Sequence, residues 1–80
     1  MKERYIYVVV FFAAPFRNQP RKRFFLFSSL AAIFEVFTVD VIGCGLKHLY
    51  NLKVPDGAVY SGQRCIITRE KVISKPHKPH

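Results

Sequence analysis

One segment limits what this chain can become. From Tyr5 to Phe12 it reads Tyr-Ile-Tyr-Val-Val-Val-Phe-Phe. Three consecutive β-branched valines are stiff at χ1 and favour a strand over a helix. Successive side chains of a strand point to opposite faces. Here both faces are apolar. Such a strand belongs inside a sheet, or needs cover on both sides. A strand is therefore expected over Arg4 to Phe12.

Its first partner follows closely. Pro15 and Pro20 interrupt any ladder, and Asn18 favours a turn, so Ala13 to Pro20 reads as a connection. Lys22 to Phe27 reads as a second strand. Strands this near in sequence pair most simply as an antiparallel hairpin. The loop between them is long and basic.

The period then changes. Ser28 or Ser29 is placed to cap a helix. Leu30, Ile33, Phe34 and Phe37 stand at i, i+3, i+4 and i+7, one buried stripe. Ala31 and Ala32 support it. Thr38 can cap a second helix, with Asp40 in the first turn. Val39, Ile42, Leu46, Leu49 and Tyr50 form its stripe. Gly43 and Gly45 each cost such a helix about 1 kcal/mol relative to Ala. Close packing against another element is the expected reason.

Pro55-Asp56-Gly57 is turn chemistry. Ala58 to Tyr60 and Gln63 to Thr68 read as a short hairpin around Ser61-Gly62. Val72 and Ile73 are expected to add a short edge. The order is β-β-α-α-β: a small two-layer α+β domain, an antiparallel sheet packed on a helical pair. One domain is expected over residues 1–74. Residues 75–80, Lys-Pro-His-Lys-Pro-His, offer nothing to bury and are expected to form a flexible basic tail.

Composition narrows the class further. Eighty residues make at most one domain, with a thin margin of buried surface. Half are hydrophobic, which excludes a disordered chain. Two cysteines cannot staple a disulfide-rich scaffold. Ten of the aromatic residues fall within the first 37 positions and are expected to fill the space between the layers.

The N-terminus resembles a secretory signal only superficially. Glu3 dilutes its charge, the valines favour a strand, and the run is too short for a span. Phe24 to Leu46 has the length to cross a membrane, yet it carries Glu35 and Asp40, each costly near a bilayer centre. A cytoplasmic protein with reduced Cys44 and Cys65 is expected, and membrane binding is not.

Catalytic patterns are sparse. On a continuous helix, Asp40, Cys44 and His48 fall on one face at i, i+4 and i+8. They could form a thiol nucleophile, its base and an orienting carboxylate. Cys44 and His48 could also ligate a metal, completed by Cys65 or by His77 and His80. A solvated polar face is the simpler reading. No nucleophile turn accompanies the trio, and there is no Cys-x-x-Cys pair. Gly43-Cys44-Gly45 lacks the strand before and the Lys-Ser or Lys-Thr after that a phosphate loop needs. No cofactor is expected.

What remains is charge. Thirteen Lys and Arg against five Asp and Glu give +8. Arg17, Arg21, Lys22 and Arg23 crowd the first loop beside Phe16, while Arg64, Arg69, Lys71, Lys75 and Lys78 follow later. A hairpin tip of this kind can straddle a nucleic-acid backbone, with Phe16 stacking on an unpaired base. The second helix carries only Lys47, His48 and Lys53, and Asp40 besides, too little for a groove-reading helix. The expected function is therefore a small basic non-enzymatic binding protein. It contacts DNA or RNA through Arg17, Arg21, Lys22, Arg23, Phe16, Arg64, Arg69 and Lys71. The alternative is a protein-interaction or oligomerisation module. It uses an apolar sheet face that the helices leave exposed, against a second copy or an acidic protein.

Overall fold

The computed structural model describes residues 4–72. The tail expected at 75–80 and the edge residue Ile73 lie outside the described residues. Strand β1 (Tyr5–Phe11) pairs on one side with β2 (Phe24–Phe27) and on the other with β4 (Cys65–Lys71). A two-residue strand, β3 (Tyr60–Ser61), pairs with β4. All pairs are antiparallel and the order is β2-β1-β4-β3. The strand that is apolar on both faces is thus an interior strand. The β3–β4 hairpin forms around residues 62–64, where the Gly62 amide donates to the Cys65 carbonyl at 3.0 Å. Val72 adds no edge of its own: its amide donates to the Arg4 carbonyl and continues the β1–β4 ladder.

The helical region differs from expectation in one respect. Helix α1 (Leu30–Val36) is capped by Ser29, whose Oγ accepts from the Ala32 amide at 3.1 Å. The expected second helix is two: α2 (Val39–Ile42), capped by Thr38, and α3 (Leu46–Asn51). The break lies at Gly43. Its φ is 103°, and its amide donates to the Val39 carbonyl at 2.7 Å, closing α2 as a left-handed C-cap. The glycines do not weaken a continuous helix. They end one and begin the next. A 3₁₀ turn at Val54–Asp56 then leads to β3.

The core lies between one face of the sheet and the helices. Val9 and Phe11 from β1 and Cys65 and Ile67 from β4 are buried with Leu30, Ile33, Phe37, Ile42, Leu49 and Val54. Phe37, just past α1, is the aromatic hub. Its ring lies 5.0 Å from that of Phe11, 5.1 Å from Phe25, 5.4 Å from Phe16 and 6.2 Å from Phe27. The fold is a mixed α+β domain with a four-stranded antiparallel sheet, as the sequence leads one to expect.

Candidate interaction surfaces

Alternation along the strands decides what the second face of the sheet carries. Odd-numbered residues of β1 and β4 face the helices. The even-numbered ones, Ile6, Val8, Val10, Ile66, Thr68 and Glu70, face away. Phe24 and Leu26 of β2 join them, because Val10 pairs with Phe24 and Val8 with Leu26. Leu26 is 58% exposed and Phe24 54%. Phe12, one residue past β1, is 50% exposed. Among the described residues the core cluster lies wholly on the other side. The result is a continuous apolar face, with Thr68 and Glu70 as its polar end. Thr68 Oγ1 donates to Glu70 Oε2 at 3.1 Å along that end.

The basic residues separate into two groups. The Phe11 amide donates to the Arg23 carbonyl at 2.7 Å and the Phe12 amide to the Arg64 carbonyl at 3.0 Å. These bonds bring Arg64 to the end of the sheet where the loop carries Arg17, Arg21, Lys22 and Arg23. All five are exposed. Lys22 Nζ stands 5.4 Å and 5.1 Å from the ring centroids of Phe24 and Phe25, a cation–π arrangement at the rim of the open face. Arg64 also reaches a cavity of about 390 Å³ lined by Phe12, Ala14, Pro15 and Val41.

Arg69 and Lys71 lie at the opposite end. Lys71 pairs with Tyr5, and six residues of strand, about 20 Å, separate it from Cys65. Arg69 serves the fold. Its Nη1 donates to the Pro55 carbonyl at 2.9 Å, and its guanidinium lies 4.0 Å from the Tyr5 ring centroid. It ties the 3₁₀ turn to the sheet. Phe16 is likewise packed, stacked on Phe37 and edge-on to Phe25. Its ring belongs to the core rather than to an unpaired base. The sequence grouped these residues by type; pairing register and packing separate them.

The Asp40, Cys44, His48 trio does not share a helix face, because the helix breaks at Gly43. A different cluster forms around Tyr60, which hydrogen-bonds Cys44 through its hydroxyl and meets the His48 ring edge-on at 5.9 Å. Burial pushes the Cys44 thiol up, against the lowering effect of the Tyr60 bond. Burial, and then Cys44, push Cys65 up to about 11. Cys65 donates to the Ile42 carbonyl at 3.5 Å. Both thiols are free and held protonated, the opposite of what a nucleophile needs. Sequence reasoning missed Tyr60 as the organising residue. Only the fold shows why: Gly43 and Gly62 are both places where a Cβ would crowd the Tyr60 side chain.

Among the described residues no group of three or more His, Cys, Asp and Glu is placed to hold a metal. No helix among them is long and apolar enough to cross a membrane. The stretch from Phe24 to Leu46 is divided among β2, α1 and α2, and ends at the start of α3. Comparison with protein-family models, curated proteins and solved structures returned no match.

Proposed function

We propose that this protein is a non-enzymatic binding module whose working surface is the open apolar face of the sheet, docked against another protein surface. One observation carries the reading. Val8, Val10, Phe24, Leu26 and Ile66 form one contiguous patch on a chain this small, ringed by charge at its ends. Burying such a patch is favourable by about 25 cal/mol per Å² of apolar area. Contiguous exposed apolar area of this kind marks interaction sites. The raised thiols and the dispersed acids support no catalytic role.

The test is site-specific crosslinking in cells. A photo-activatable residue replaces Leu26 on the open face or Val36 on α1, which is 54% exposed. Crosslinks to protein are expected at position 26 and not at 36. Equal yields at both positions, or none at 26, contradict the reading.

A second reading has its own support, the gathering of Arg17, Arg21, Lys22, Arg23 and Arg64 at one end. Five phosphate contacts would give nucleic-acid affinity that falls steeply with salt. Titration of labelled DNA and RNA at two salt concentrations distinguishes it. Replacing the four loop residues with Ala is expected to remove that binding and leave the fold intact.

A further inference from the structure

We infer that the outer edge of β2 receives an extended segment of another protein, apolar at alternate residues and then acidic, which joins the sheet as a further strand. The inference rests on the reading of Phe24 and Leu26 as part of a protein-docking surface and adds what docks there and how. Register fixes which backbone groups are free. In an antiparallel ladder the N–H and C=O of one residue point the same way, and successive residues alternate. The Phe11 amide donates to the Arg23 carbonyl at 2.7 Å, so Arg23 turns its backbone toward β1. Phe25 and Phe27 share its parity and pair with Val9 and Tyr7. The N–H and C=O of Phe24 and Leu26 therefore point away from β1. β2 stands at the end of the sheet, and among the described residues no strand covers its outer side. Backbone groups at that spacing fit an extended chain. Edges are commonly blunted by charge, proline or shortness. The other edge of this sheet is the two-residue β3. β2 reads Phe-Phe-Leu-Phe, with neither charge nor proline.

Charge selects the partner. Arg21, Lys22 and Arg23 immediately precede β2, and all are exposed. A strand added antiparallel passes Leu26, Phe25 and Phe24, and then Arg23 and Lys22. Its residues opposite Leu26 and Phe24 turn to the open face, beside side chains that are themselves largely exposed. Apolar residues there extend the apolar face. The next residues meet the basic run, where carboxylates are favoured. A second copy of β2 is the poorer occupant. Pairing Phe25 with itself would bring the two basic runs within about 14 Å of each other along the strands, with no carboxylate between them.

The test is fluorescence anisotropy of a labelled peptide that alternates Val and Thr and ends in an Asp run, titrated with the full chain. Binding is expected, and the same peptide ending in a Lys run should bind about tenfold more weakly. The chain carrying Arg21→Glu, Lys22→Glu and Arg23→Glu should reverse that preference, with circular dichroism confirming its fold. N-methylation of the peptide tests the backbone geometry. At the Val residues it should weaken binding about tenfold, because their N–H groups bond β2. At the Thr residues, whose N–H groups point to solvent, the change should stay within about threefold. No binding of the Asp peptide overturns the inference. So does equal binding of the Lys peptide, or methylation that acts equally at both sets or more strongly at Thr. A chain that is dimeric in sedimentation equilibrium and monomeric as Leu26→Pro has its own edge as occupant, which also overturns it. If the peptide fails while position 26 still crosslinks to protein in cells, this inference falls and the working surface stands. If the peptide fails and position 26 crosslinks to nothing, both fall.

Discussion

Tyr60 explains more of this molecule than any residue singled out by charge. It is 8% exposed and lies between Gly43, at the end of α2, and Gly62, in the β3–β4 turn. A Cβ on Gly43 would come within 3.2 Å of its hydroxyl, and the Gly43 backbone is left-handed besides. Gly43→Ala should therefore destabilise the fold by about 1–2 kcal/mol, read as a lowered urea midpoint with unchanged slope. The same cluster fixes a pH response. Burial raises Tyr60 from 10 to about 12, and Cys65 from 9 to about 11. Both are acids whose neutral forms the fold prefers. Their stabilising contribution is complete below their unfolded values and is lost as pH rises toward the folded ones. The urea midpoint should fall between pH 9 and 11, and less so in Cys65→Ala. A midpoint independent of pH across that window would show that the thiol is not buried as described. None of this was legible in the sequence, where Tyr60 is one of two aromatics beyond residue 37 and the glycines looked like flaws in a helix.

Among the elements, the strands were the most legible. β1 was marked by its valines and by apolar residues of both parities, and those are the properties of an interior strand. Ser29 and Thr38 announced the helix starts, and both caps form. The pairing of β1 with β4 was not legible, because fifty residues intervene and no local signal specifies a distant partner. It is this pairing that sends Arg64 and Lys71 to opposite ends of the sheet. The division of the second helix was misread because its apolar stripe survives the break: Ile42 and Leu49 are both fully buried on separate helices. Phe37 shows how the elements are held together. Its ring meets four other phenylalanines drawn from β1, β2 and the loop between them. Phe37→Ala should cost about 3–5 kcal/mol, a large share of the stability of a domain this small, and should largely unfold it in thermal denaturation. A loss under 1 kcal/mol would mean that the aromatic hub is not closed.

At the scale of the whole molecule, the question is how an 80-residue chain that is half hydrophobic keeps one sheet face bare. Helices on one side bury the odd-numbered face, and nothing among the described residues packs on the other. Among the described residues, Arg17, Arg21, Lys22 and Arg23 lie in the loop at one end of the sheet, and Glu70 lies beside Lys71 at the other. The proposed working surface is that bare apolar face. The most direct measurement is crosslinking in cells from a photo-activatable residue in place of Val10, 40% exposed on the open face, in Leu26→Glu and Val36→Glu beside the otherwise unchanged chain. The two wild-type side chains are similarly exposed, at 58% and 54%, on opposite sides of the domain. The unchanged chain and Val36→Glu should crosslink to protein alike, while Leu26→Glu should lose the crosslink with its fold intact by circular dichroism. Equal crosslinking by all three proteins would contradict the account.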